Sequence, residues 1–325
     1  MKFKSFLSFF LALIISFSLC SCEAEVEEDT SLITPLLYEV TDSENGKVWL
    51  FGSVHVGEES FYPLPRYVLN AFKKADVLAV ELDIINFKNN DYFQSLAFSK
   101  LSYKDGSTIK DHIPPFLYDD ALEILKEHNL YNQSLDYYYP ALWADYIDSA
   151  RYLKLGINKE LGIDRYFINN KGKKQLSEIE SAKEQYTMLA GFSETVQSSL
   201  LYSAVNDYNE PIEESSLKEL MALWAAGDEA ALAEKLRKPE KFSSEEQKNL
   251  YNEYYKAAVT DRNLKMTDYA EEALLSGKET FICVGAAHII GEGSIVEQLK
   301  ARGYTVTTIK GAPKTETSSS LPASN

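Results

Sequence analysis

Val48-Trp49-Leu50-Phe51-Gly52-Ser53-Val54-His55 and Thr280-Phe281-Ile282-Cys283-Val284-Gly285-Ala286-Ala287-His288 are two versions of one pattern: an apolar run, a glycine, and a histidine three residues on. Short apolar runs rich in β-branched and aromatic residues read as buried strands. Each is followed by a helix-type segment and a further strand. Residues 66–74 carry apolar side chains at helical spacing behind Pro63 and Pro65, and Val77-Leu78-Ala79-Val80 follows. At the far end, 291–301 reads as a helix closed by Gly303, and 304–309 as a strand. Strand, loop, helix, strand is a βαβ unit, so both ends of the chain predict one.

Working outward, Leu36-Leu37-Tyr38-Glu39-Val40 predicts a strand that forms a hairpin with 48–51 through the Asn45-Gly46 turn. The middle, about 110–276, predicts helices at 115–128, 140–155, 157–169, 183–206, 212–226, 229–236 and 243–275. Ser243 with Glu246 matches a capping box, and 174–178 could add a strand. The fold class is therefore α/β: a central sheet built by N- and C-terminal βαβ units, with a large helical insertion between them.

The outermost segments carry processing signals. Lys2 and Lys4 precede an apolar run over 6–19, too short for a comfortable membrane span. It ends in Leu19-Cys20-Ser21-Cys22, which is similar to a bacterial lipobox with Cys22 as the lipid attachment site. The expected division is a lipoprotein signal over 1–21, an acidic tether over 22–35, one domain over 36–310 and a Ser/Thr/Pro-rich disordered tail over 311–325. A diacylglyceryl anchor would attach the chain stably to the membrane of the bacterial cell envelope, since two acyl chains suffice where one does not. Removing 1–21, which holds two lysines and no acids, takes the formal charge from -16 to -18. So acidic a chain offers nucleic acid no basic face. With Cys22 lipidated and Cys20 gone, Cys283 stands alone in an apolar run and reads as a packed thiol.

Of the four histidines, His55 and His288 share the strand–glycine context, while His112 and His128 lack it and read as surface residues. Ligands in α/β sheets gather at the carboxyl ends of strands, and imidazole is the usual proton carrier near neutral pH and a common metal ligand. Glu81, directly after four apolar residues, places a carboxylate on the same sheet edge, as general base or third ligand; Asp83 could substitute. Arg262, in a long helix, could clamp a carboxylate or an oxyanion, or simply be solvated. Asp164 and Glu180 are weaker signals on spacing alone.

Seven short motifs occur in order: Gly52-Ser53-Val54-His55 with Gly57; Val80-Glu81-Leu82-Asp83; Leu161-Gly162-Ile163-Asp164; Lys173 with Ile179-Glu180 and Gln185; Trp224 to Asp228; Arg262-Asn263-Leu264-Lys265-Met266; and Val284 to Gly291. Together, over about 36–310, they resemble the TraB/GumN family, which includes the TIKI proteases. The resemblance implies an α/β/α core like that of ChaN and the erythromycin esterases, and metal-dependent peptidase chemistry through the two Gly-x-x-His motifs. It implies a catalytic set of His55, Glu81, Arg262 and His288, a metal held by His55, Glu81 and His288, and supporting roles for Gly52, Gly285, Asn263, Glu180 and Asp164. The implied metal is Mn2+ or Co2+, with Zn2+ also suited to His and carboxylate donors. The substrate would be a peptide or small molecule. Ile179-Glu180-Ser181 stands where the family has Leu-Glu-Thr, which leaves the role of Glu180 open. A metal-independent ester or amide hydrolase and a binding lipoprotein without turnover stay open as alternatives.

Overall fold

A computed structural model describes residues 29–42, 46–88, 91–236 and 241–310. The expected signal segment, Cys22, the tail and the tether up to residue 28 lie outside the described residues. The chain forms a six-stranded mixed sheet in the order β4-β3-β5-β2-β1-β6. The strands are β1 (Leu37–Thr41), β2 (Lys47–Ser53), β3 (Val77–Val80), β4 (Gln175–Glu178), β5 (Thr280–Gly285) and β6 (Thr305–Ile309). β2, β5, β3 and β4 run parallel, and β1 pairs antiparallel with β2 and β6.

The expected hairpin and strands are present, and so is the α/β class. The arrangement of the two terminal units is closer than their order along the chain implies. β5 inserts between β2 and β3, so the C-terminal unit splits the N-terminal one. Phe51 and Val80 both pair with Cys283, and Ser53 pairs with Gly285. This register brings Gly52, Gly285 and Glu81 to one edge. The three strands are buried almost throughout, as parallel strands covered on both faces must be. The polar strand β4 closes one side of the sheet with its end residues exposed, which discourages further pairing.

Helices Arg66–Lys74 and Ile163–Asn169 pack their apolar faces on the sheet. There Phe72 and Phe281 contact Phe167 with ring centroids 4.8 and 4.9 Å apart. The insertion has its own core, around Leu117, Trp143, Ile147 and Leu201. It is not one uninterrupted excursion, because β4 returns to the sheet midway.

Several helix expectations are corrected by capping chemistry. The 183–206 segment is two helices, Ala182–Ala190 and Glu194–Asn209, because Ser193 caps the second by accepting from Val196 N–H at 3.3 Å. The long C-terminal helix is capped by Ser244, which accepts from Gln247 N–H at 3.1 Å, rather than by Ser243 with Glu246. A π-helical turn, Lys256–Thr260, then separates Glu245–Tyr255 from Asp261–Leu275. In 157–169 the helix proper starts at Ile163, because Gly162 is extended. The helices predicted at 212–226 and 291–301 begin at Ser216 and Ile295; Gly291 and Gly293 both sit at positive φ before the second. His112 and His128 are not free surface residues. His112 stacks on Tyr103 at 4.0 Å, and His128 Nε2 faces the Tyr208 hydroxyl at 2.8 Å.

The loop carrying His55 is clamped to the start of helix Ile163–Asn169. Gly57 and Asn158 exchange backbone hydrogen bonds at 3.0 Å in each direction, and Ile163 N–H donates to the Val54 carbonyl at 3.0 Å. A Cβ on Gly162 would overlap the His55 carbonyl oxygen, a backbone atom that cannot swing away. Gly162→Ala is therefore expected to lower unfolding free energy by about 1–3 kcal/mol, the usual range for overpacking, as read by urea denaturation. Unchanged stability would mean the two loops are not in contact.

Candidate functional site

His55 lies two residues beyond β2. Its Nδ1 faces Asp164 Oδ2 at 2.8 Å, and Ser53 Oγ donates to Asp164 Oδ1 at 2.7 Å. Asp164 is buried at the start of its helix, where the helix dipole favours a carboxylate. The Asp164 charge pushes the His55 pKa up to about 9 against the opposing effect of burial. The ring is 63% exposed, and water screens the pair. His55 Nδ1 thus carries its proton toward Asp164, and Nε2 lies on the side of Gly285. Ser53 is no nucleophile of a serine triad, because its hydroxyl is spent on the carboxylate rather than on the imidazole.

His288 is buried, in the short helix Ala286–Ile289 after β5. Its Nδ1 meets Asn263 Oδ1 at 2.6 Å, while Asn263 Nδ2 donates to the Gly293 carbonyl at 2.9 Å. Since the amide nitrogen is taken, the amide oxygen accepts, so His288 holds its proton on Nδ1 and leaves Nε2 bare. Burial lowers the His288 pKa, against the opposing attraction of Glu81. The two histidines therefore have opposite protonation tendencies.

Glu81 stands between them. Its Oε1 accepts the Gly285 N–H at 2.6 Å and lies 3.8 Å from His288 Nε2, and its Oε2 accepts from Arg262 Nη2. Burial alone would raise the Glu81 pKa. His288, His55, Arg262 and the Gly285 amide outweigh it and hold the carboxyl at about 2. Arg262 also donates from Nε and Nη2 to Glu180, at 2.8 Å each, and Gln185 Nε2 donates to Glu180 at 3.0 Å. Its Nη1 reaches the Ala258 carbonyl, in the π-helical turn, at 3.4 Å. The guanidinium is thus engaged on two sides as the counter-ion of two buried carboxylates, which answers what Glu180 does. Asp83 is not in the site; its Oδ1 accepts from Ile85 and Asn86 N–H in the following turn.

Gly285 is the meeting point. A Cβ there would stand 3.3 Å from Glu81 Oε1 and 3.6 Å from both His55 Nε2 and His288 Cδ2. A side chain there would crowd the space the functional atoms share, Glu81 Oε1 most closely. Gly52 does a different job: its carbonyl accepts Trp224 Nε1–H at 2.7 Å, and a Cβ would collide with Ile289. Cys283 is fully buried beside Asp164, and burial pushes its thiol pKa up, so it is a packed thiol.

The two imidazoles fit a divalent cation by their donor chemistry. In each, Nδ1 is tied off by an oxygen, as outer-shell partners do for metal-bound histidines; His55 Nε2 lies beside Gly285 and His288 Nε2 lies 3.8 Å from Glu81 Oε1. Glu81 is more heavily committed, to Gly285 N–H and Arg262. Among the described residues no three His, Cys, Asp or Glu side chains stand as a ready-made cage.

A parallel-sheet core, a helical insertion and two strand-end histidines facing one carboxylate define the type of protein. The chain belongs to the TraB/PrgY/gumN family, whose model matches residues 36–308. YbaP of Escherichia coli (strain K12), described as an uncharacterized protein, is 25% identical over 267 residues, covering 81% of this chain and 91% of YbaP. YbaP of Shigella flexneri, likewise described as uncharacterized, matches to the same extent. No solved structure matches the chain.

All four expected catalytic residues, with Asn263, Glu180 and Asp164, fall in one cluster. Asp164 and Glu180 are weak signals on spacing; the local cue is a carboxylate directly after an isoleucine, Ile163-Asp164 and Ile179-Glu180. Asp164→Asn keeps the shape but removes the charge behind His55. It is expected to reduce turnover or metal affinity about 10–100-fold, the usual cost of losing such a partner. Steady-state kinetics and metal titration would check this; an unaltered variant would reduce Asp164 to packing.

Proposed function

We propose that the chain is an exported, lipid-anchored hydrolase acting on peptides, with His55, His288, Glu81 and Arg262 as its working set. The observation that carries this reading is the meeting of His55 Nε2, the His288 ring and the Glu81 carboxylate around Gly285, with His288 Nε2 3.8 Å from Glu81 Oε1. Export and anchoring through Cys22 rest on the Leu19-Cys20-Ser21-Cys22 sequence.

His55, His288 and Glu81 are the donors that would hold a divalent cation, with Mn2+ or Co2+ implied by the family resemblance; when bound it supplies Lewis acidity at the substrate carbonyl. Asp164 and Asn263 fix the two rings, and Arg262 holds Glu81 in place against Glu180. A second reading is favoured by the opposite environments of the histidines. Neutral His288 can take a proton at Nε2, and charged His55 can donate one from Nε2 to a leaving group, without a metal.

Incubation of the purified chain with a peptide library, read by mass spectrometry, is expected to give discrete cleavage products. Stoichiometric peptide retention without turnover would replace the reading with a binding lipoprotein. Undiminished cleavage after exhaustive chelation, with no metal in elemental analysis, would select the metal-free version.

A further inference from the structure

A cleft of about 390 Å³ opens in the helical insertion, away from His55 and His288. Helix Ala182–Ala190 links the two places. Glu180 precedes its start and Ala190, at its end, lines the cleft. Ten residues at about 1.5 Å each put them roughly 15 Å apart.

The cleft wall is aromatic and held in place. Tyr103 packs edge-on to Tyr139 at 4.8 Å and stacks with His112, whose Nδ1 faces Glu194 Oε1 at 2.9 Å and whose Nε2 faces Ser107 Oγ at 2.8 Å. Buried Gln197 fixes the surroundings, accepting from Ala141 N–H at 3.0 Å and donating to the Leu189 carbonyl at 2.5 Å. Phe192 completes the aromatic lining. Clefts of this size, walled by aromatic side chains on fixed supports, are the usual form of small-ligand sites.

Charge selects the ligand. Asp105 and Glu194 line the cleft and are exposed. The one ammonium in the lining, Lys104, is turned onto the Phe98 carbonyl at 3.0 Å and the Ser102 hydroxyl at 2.7 Å. The Tyr103 hydroxyl pKa is raised, first by burial and then by Tyr139, Glu194, Asp105 and Asp111, as expected where the local potential is negative. A chain of formal charge -16 also steers cations toward itself.

We propose that this cleft binds a cationic organic group, such as a lysine ammonium or arginine guanidinium, by cation–π contact with its aromatic walls and pairing with Asp105 and Glu194. The binding stands apart from the hydrolase reading. If that reading also holds, an extended peptide of about five residues spans both places, and a basic side chain there selects the substrate.

Calorimetric titration of the full chain with N-acetyl-arginine amide and its neutral analogues N-acetyl-norleucine amide and N-acetyl-phenylalanine amide tests the proposal. The arginine probe is expected to bind about tenfold more tightly than either neutral probe. In the Asp105→Asn/Glu194→Gln variant, both changes being at exposed positions, the preference is expected to fall to about twofold or less. His55→Ala protein is expected to keep it in full. No preference in the native chain, tighter binding of the phenylalanine probe, an intact preference in the double variant, or its loss in His55→Ala would each overturn the proposal. An intact preference in a chain that cleaves no peptide would sink the hydrolase reading and leave this one standing.

Discussion

On the proposed hydrolase reading, protein carrying both His55→Ala and His288→Ala is expected to stay folded and to lose turnover by at least about 10²–10⁴-fold, and on its metal-bound version to lose the divalent metal as well. The loss should resemble that of the worse single variant rather than the product of the two, because residues that act as a unit are not additive. Each single variant also strands a buried partner. His55 is largely exposed, so its truncation removes little packing, but it leaves the buried Asp164 carboxylate with the Ser53 hydroxyl and without its imidazole partner, at an expected cost of about 1–3 kcal/mol. His288 is buried, and its loss strands the Asn263 side-chain oxygen, at an expected cost of about 1–3 kcal/mol. A His55→Ala chain that turns over peptide at the native rate would remove His55 from the mechanism. Metal bound equally by native and double-variant protein would place the cation elsewhere.

Arg262→Met is expected to be the most destabilising single change at the site, at about 3–5 kcal/mol in urea unfolding, because it leaves two buried carboxylates without their counter-ion. The side chains of Glu81 and Glu180 are 10% and 4% exposed, so solvent cannot replace the guanidinium. Adding Glu180→Gln to Arg262→Met removes one stranded charge and should recover part of the loss, a coupling that a double-mutant cycle measures directly. Arg262→Lys should recover little, since a single ammonium cannot reproduce the planar fork that serves Glu180 and Glu81 at once. Native-like stability in Arg262→Met would mean that the ion-pair cluster does not form.

The elements of the sheet and the two strand-end corners that carry His55 and His288 were legible from local pattern. Val77-Leu78-Ala79-Val80 is buried along its whole length and reads so without any knowledge of its partners. Gly52 and Gly285 mark strand ends because glycine is needed where the backbone turns or is closely approached, and each histidine follows its glycine at a fixed distance. Helix ends were less legible, because a serine at the right place competes with its neighbours as cap, as Ser243 and Ser244 show.

What stayed hidden were the side-chain partners. His55 meets Asp164 across 109 residues of chain, Arg262 meets Glu180 across 82, and Glu81 meets Arg262 across 181. No periodicity carries such pairings; they follow from strand order, above all from β5 lying between β2 and β3. The amino-acid pattern thus decided the class of fold, its strands and the two histidine corners, since those depend on burial and backbone freedom within a few residues. Packing decided which nitrogen of each imidazole is free, which carboxylate orients His55, and that Arg262 holds acids in place, since those depend on atoms brought together only when the sheet closes.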